Sequence, residues 1–383
     1  KNFGWGTKAR IFSVKVAGLE GSGDAGTGIS ISNVYDCIKQ WHNNKDADPI
    51  TGLKRPTVVN ASWGYSSSRI NAERLDMVKK HGSTMPTWLF DMWYPSEYDI
   101  AKIDMMWHEN PKFLDNFKKI APTLKRLYVT GGEPSIIKAN TDMINHLIEI
   151  GNKECHVSFT TNLTTWNIDL YEKLSFFDKS EVQVSIDGYK KSQEYIRYGS
   201  AWEDIDRNFK KLIELPDKVR IQIYNVFQVY NIFESHKIMK WLDSLDLKRE
   251  VAFWPIIIDQ PLHLRATVIP YHIRDKAKEL YRDFYDYTSY NNRYLDLHGA
   301  ANKIISYLES DWEPHGSYKK YCQGVEQTEA NQKYMFYQYT NFMDKVRGHS
   351  FFETFPQFTE LKEEFKEVLE WKLETPNWWV DDE

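Results

Sequence analysis

The chain has 383 residues, with 49 Lys and Arg against 54 Asp and Glu and a net charge of −5 at pH 7. That length suits one large α/β domain with an appendage, or two to three domains. Acids and bases are mixed throughout without a dense basic block, which argues against nucleic acid as a partner. No apolar run reaches the roughly 18 residues needed to span a membrane. The first six residues do not read as a signal peptide, and the lack of an initial Met points to a trimmed start. Cys37, Cys155 and Cys322 are too far apart for a disulfide framework or a CxxC metal knuckle, so a reducing cytoplasm is the expected location. The aromatic content of 15% reads as large cores and interlocking helices.

In chain order, residues 1–65 read as a small βαβ piece. Residues 9–16 alternate as a strand does, and a glycine-rich loop follows at 18–28. The segment 29–42 carries Ile31, Val34, Ile38 and Trp41 on one helical face. Residues 57–63 are strongly β-prone. A short charged helix is expected at 72–81, then a Trp/Met/Tyr-rich packing stretch at 88–107. Phe113, Phe117 and Ile120 share a further helical face.

A βα rhythm then begins. Strands are expected at 126–131, 155–160, 181–186, 220–229 and 251–258, one roughly every 30 residues, the signature of a parallel sheet. Between them, Met143, Ile144, Leu147 and Ile148 mark a helix stopped by Gly151. Ser200 with Glu203 forms a capping box before a helix facing inward through Ile205, Phe209, Leu212 and Ile213, and another helix spans 232–245. If such a sheet closes into a barrel, ligands sit at the carboxyl ends of its strands. Glycine and polar residues gather there: Gly131, Gly132 and Glu133; Thr161 and Asn162; Ser185 and Asp187; Asn225. Glycine permits positive φ and close backbone approach, and Pro134 prevents the first strand from continuing. After Pro270 the chain reads as helical and aromatic, with helices at 273–287, 300–308, 342–347 and beyond Pro356. The tail at 378–383 is expected either to be exposed or to dock through Trp378 and Trp379.

Two family resemblances organise these observations. The runs ARIFSVKVAGLEGSGDAGTGISISNVYDCIKQWHNNK (9–45) and RPTVVNASWGY (55–65) resemble the middle of a subtilisin-like serine protease domain (subtilase). In that family the catalytic Asp and His precede this piece and the nucleophilic Ser follows it. Neither accompanies it here, so protease activity is not expected. Residues 66–355 resemble the radical S-adenosylmethionine (SAM) superfamily, nearest the subgroup with a twitch-like or SPASM-like extension. The matching runs, in order, are Gly131-Gly-Glu-Pro134, Thr160-Thr-Asn-Leu163, Ser185-Ile-Asp-Gly188, Tyr195-Ile-Arg-Tyr-Gly199, and Phe342-Met-Asp-Lys-Val-Arg-Gly348 with Phe355-Pro356.

The second resemblance implies a partial (β/α)6 TIM-like barrel over 66–270 and a mainly helical extension over 271–383. It also implies a SAM site. Carbonyls of the Gly131–Gly132 turn, with Glu133 beside Pro134, would accept the SAM ammonium. Thr161 and Asn162 stand at the next strand end. Ser185 or Asp187 would meet ribose hydroxyls, and Arg197 would pair with the carboxylate, for which a guanidinium fork is suited. Family chemistry also requires a [4Fe–4S] cluster on a Cys-x3-Cys-x2-Cys loop. That loop should precede Ser66, where the sequence reads Asn60-Ala-Ser-Trp-Gly-Tyr65, so the cluster ligands are missing. The two resemblances meet near Tyr65, as in a chimera, with 57–63 able to supply the first barrel strand. The expected function is therefore SAM binding. Reductive cleavage is the family's reaction, and a catalytically inactive SAM-binding or interaction module is the alternative.

Overall fold

A computed structural model of the chain describes residues 111–131, 133–245, 247–258, 260–290, 295–312, 321–322, 325–326 and 328–368. The expectations for 1–110, Gly132 and the tail at 378–379 lie outside the described residues. The architecture is an α/β domain with a five-stranded parallel sheet and a helical C-terminal region.

The strands are β1 (Arg126–Val129), β2 (His156–Thr161), β3 (Ser180–Ser185), β4 (Val219–Phe227) and β5 (Val251–Ile257). Their spatial order is their sequence order, and every neighbouring pair is parallel. Parallel neighbours need a crossover, and helices supply it. Along the chain come α1 (Pro111–Ile120), α2 (Lys138–Glu149), α3 (Ile168–Tyr171), α4 (Lys191–Ile196), α5 (Trp202–Ile213) and α6 (Ser235–Ser244).

The register explains why one face of the sheet is dry. Side chains alternate between faces along a strand. Phe159 pairs with Val182 and Val182 with Ile221, while Ile223 pairs with Phe253. These residues join Met143, Ile144, Leu147, Phe209, Leu212, Ile238 and Leu242 from the helices in one buried cluster. The opposite face is polar. Thr160 pairs with Gln183 and Gln183 with Gln222, and Tyr128 pairs with Ser158. Tyr128 and Trp254 on that face are each 49% exposed. Parallel strands covered on both faces usually read as continuous apolar runs. Here the polar alternation marks a face that is not core.

Several local expectations change. Phe117 points inward but Ile120 is exposed, so the two do not share a buried face. The Ser200–Glu203 capping box does not form, because α5 starts one residue later, with Ala201 at its N-cap. The Ser200 hydroxyl donates instead to the Arg197 carbonyl, and Glu194 accepts the Trp202 N–H at 3.0 Å. The helix expected at 232–245 is α6, which starts three residues later and follows a 3-10 turn at Val229–Asn231. Gly151 does stop α2, with φ +72°.

Beyond β5 the helices are α7 (Tyr271–Tyr290), α8 (Leu295–Leu308), α9 (Glu329–Arg347), α10 (Phe351–Thr354) and α11 (Lys362–Val368), with a two-stranded ribbon, β6 (Tyr321–Cys322) and β7 (Val325–Glu326), before α9. The helix expected at 342–347 is thus the last part of a much longer one. Thr328 caps α9, accepting from the Asn331 N–H, and Gly348 ends it in the left-handed conformation. Aromatic rings join this region to the strand ends. Tyr195 meets Phe355 edge-on at 5.1 Å, and Tyr230 lies 5.8 Å from Phe351.

Candidate functional site

The sequence-predicted residues fall into two groups along the carboxyl ends of the strands. The first lies after β1 and β2. Gly131 adopts φ +94°, the left-handed region that glycine reaches without strain. Pro134 opens a short 3-10 turn and is buried, its carbonyl accepting from the Asn140 amide at 2.9 Å. Between them, the Glu133 carboxylate works within the protein. One oxygen accepts from the Ser135 N–H at 3.1 Å, the Ser135 hydroxyl at 2.6 Å and the Thr161 hydroxyl at 2.8 Å. The other accepts from the Asn162 N–H at 2.8 Å. Tyr171, buried and pushed up to about 12 chiefly by that burial, donates to Thr161 at 3.1 Å.

A carboxylate has about four lone-pair sites, so four donors leave little of Glu133 for a ligand. It braces the end of β1 against the end of β2. Replacing Glu133 by Ala should cost about 2–3 kcal/mol, since four donors lose a charged acceptor. Glu133→Gln, which keeps one acceptor oxygen, should cost less. Urea denaturation measures both. If each variant stays within about 0.5 kcal/mol of the parent, the usual range for featureless surface changes, the brace is not there.

The second group lies after β3. Ser185 ends the strand half-buried, and its hydroxyl has no partner among the described residues. Two residues on, Asp187 is 4% exposed, and its charge is met from both sides. One oxygen accepts from Arg197 Nε at 2.7 Å and the other from the Val226 N–H at 2.7 Å. The turn is built for this. Gln193 Oε1 accepts from the N–H groups of Asp187 and Gly188, each at 2.9 Å. A Cβ at Gly188 would lie 2.6 Å from the Gln193 backbone nitrogen, so only glycine fits. Asn231 donates to the Asp187 and Val226 carbonyls, both at 2.8 Å, locking β3 to β4. Asn225 donates to the Ile186 carbonyl at 2.9 Å, so this strand-end amide is structural.

Arg197 is therefore aimed, not merely present. Its Nε is committed to Asp187, while its terminal nitrogens have no partner among the described residues. The side chain is 31% exposed and lines a cavity of about 320 Å³. Asp187, Arg197 and Gln228 line the cavity together with Tyr195, Tyr230, Leu264, Tyr339, Met343 and Arg347. Glu133, Thr161, Asn162 and Ser185 do not line it. They share its edge of the sheet.

No protein-family model and no curated protein matches this chain. The site thus rests on its own geometry. That geometry brings together two motifs far apart in sequence. The Tyr195 hydroxyl donates to Asp344 at 2.8 Å, and Arg347 Nη1 donates to the Tyr195 carbonyl at 3.3 Å. Burial raises the pKa of Asp344, against the Phe351 N–H and Tyr195 bonds that favour its ionised form. Sequence reasoning misses Tyr195, Tyr230, Tyr339 and Met343 as lining residues, since aromatic and Met positions read as core. The pairing of Tyr195-Ile-Arg-Tyr-Gly199 with Phe342-Met-Asp-Lys-Val-Arg-Gly348 has a signal only in the quoted motifs.

Cys155, whose side chain is described, is not placed as a cluster ligand. Cys155 is fully buried beside β2, and burial pushes its thiol up to about 11, which keeps it protonated. A cluster needs thiolates. Cys37 and the Cys322 side chain lie outside the described residues, and the sequence holds no Cys-x3-Cys-x2-Cys run. Among the described residues no group of three His, Cys, Asp or Glu side chains could hold a metal ion. No helix among them is long and apolar enough to cross a membrane.

Proposed function

We propose that the chain is a SAM-binding protein built on a radical SAM-type barrel, with SAM held along the carboxyl edge of the sheet. One observation carries this reading: Arg197 is fixed through Nε by a buried carboxylate while its terminal nitrogens stay unpaired at the rim of a cavity. A guanidinium held this way can take a carboxylate through its other N–H groups, and its geometry is prepared before the ligand arrives. The ammonium of the same amino-acid end would go to backbone carbonyls at Gly131 and Gly132, next to the Glu133 brace. With both Asp187 oxygens engaged, Ser185 is the better partner for ribose.

The sequential order of parallel strands, and the polar face carrying Tyr128, Thr160 and Gln183, support a barrel with a ligand-lined interior. A [4Fe–4S] cluster does not fit the cysteines of this chain, so the proposed role is binding, without reductive cleavage of SAM.

The test is calorimetric. SAM should bind at least about tenfold more tightly than 5′-deoxy-5′-methylthioadenosine, which shares the adenosine but lacks the amino-acid end; a charge-assisted bond is worth enough to give that ratio. Equal affinity for the two, or no heat with SAM, rejects the reading.

A further inference from the structure

The cavity has a second cation that the SAM reading does not use. On α9, Tyr339, Met343 and Arg347 recur every fourth residue, so they share one helical face, and all three line the same cavity as Arg197. Arg347 makes one hydrogen bond, to the Tyr195 carbonyl, and its guanidinium centre lies 5.2 Å from the Tyr198 ring. It forms no salt bridge among the described residues. Its nearest helical acid, Asp344, has one oxygen on the Tyr195 hydroxyl and the other on the Phe351 N–H, at 2.8 and 2.7 Å.

Donors and acceptors in the cavity are therefore unbalanced. Its carboxylate, Asp187, has both oxygens engaged, while two guanidinium groups keep unpaired N–H donors. Beside them lie Ile258, Leu264 and Met343, an apolar wall. Unpaired donors in a partly dry cavity call for an acceptor, and a negative charge suits them best. A basic residue at a helix C-terminus also favours the helix dipole. Exposed Lys345 on the same last turn serves that purpose and does not line this cavity.

We propose that this cavity receives a second ligand, an oxyanion (carboxylate or phosphate) on an apolar or aromatic body, and that Arg347 holds the oxyanion. The inference rests on reading the strand edge as a ligand site, but it does not depend on that ligand being SAM. SAM and the second molecule then share one cavity, one on Arg197 and one on Arg347. The C-terminal region becomes the part of the chain that selects the second molecule.

Four probes of similar size test this by NMR-monitored titration: phenyl phosphate, 3-phenylpropionate, 3-phenylpropan-1-ol and 2-phenylethylamine, each with and without saturating SAM. The two anions should bind at least about tenfold more tightly than the alcohol and the amine. The stronger of the two anions names the oxyanion class. Arg347→Gln keeps a donor for the Tyr195 carbonyl but loses the charge. It should reduce anion affinity about tenfold, with the melting temperature unchanged and SAM affinity within about twofold. Anions binding no better than the alcohol overturn the inference, as does an Arg347→Gln protein that retains anion affinity. A variant losing SAM and anion together also overturns it, since Arg347 would then belong to the SAM site. Arg347-dependent anion binding with no SAM binding upholds the inference and removes the SAM reading alone.

Discussion

Arg197→Ala should lower the free energy of unfolding by about 3 kcal/mol and abolish detectable SAM binding. The stability loss follows from what the substitution strands. Asp187 is nearly buried, its side chain 5% exposed, and it would keep only the Val226 N–H as a partner. Breaking a buried ion pair from one side costs roughly 3–5 kcal/mol; the lower figure applies because Arg197 itself is about one-third exposed. The double variant Arg197→Ala with Asp187→Asn separates structure from binding. The substituted amide would still accept from the Val226 N–H but carries no charge to strand, so most of the lost stability should return. SAM binding should not. Urea denaturation of both variants, with calorimetry on each, gives the answer. If single and double variants are equally unstable, the stranded charge is not the cause, and Arg197 acts through packing alone.

That contrast also shows how much of the site is readable. Spacing and β-propensity place five strands within about two residues, because each is a β-rich run bounded by glycine, proline or polar residues. Gly131 and Gly188 are legible for the same reason: a positive φ and a tight backbone approach leave glycine as the fitting residue. Asp187 is read at the end of β3, where it lies, but its bond with Arg197 is not readable from a ten-residue separation that includes α4. The same holds for Glu133, whose partners come from two strand ends and are fixed only once β1 and β2 align. The α5 start escapes the pattern because Ala201, not Ser200, takes the N-cap position, and the Ser200 hydroxyl donates to the Arg197 carbonyl. The cavity itself is hidden, since Tyr195, Tyr230 and Tyr339 look like core residues until the sheet edge and α9 are brought together.

Phe351→Ala tests whether that meeting is held by the aromatic cluster, and its effect should be as large. Phe351 is 1% exposed and has Phe355 at 5.4 Å, Phe358 at 5.1 Å, Phe365 at 5.6 Å and Tyr230 at 5.8 Å, while its backbone N–H donates to Asp344. Truncating a ring so enclosed costs about 3–5 kcal/mol, the lost transfer free energy plus the void left behind. Phe351→Leu, which refills much of that volume, should cost under about 1.5 kcal/mol. The position of Phe351 gives the loss a functional direction. It joins α9, which carries Tyr339, Met343 and Arg347, to Tyr230 at the end of β4, and so it fixes one wall of the cavity against the other. Regions with fewer buried contacts open first, so limited proteolysis of the Ala variant should cut between residues 329 and 368 before it cuts the sheet. Anion binding through Arg347 should weaken under conditions where the β1–β5 core remains folded. A Phe351→Ala protein less than about 1 kcal/mol below the parent, or one cut first within the strands, would show that the C-terminal helices are held to the sheet by something other than this cluster.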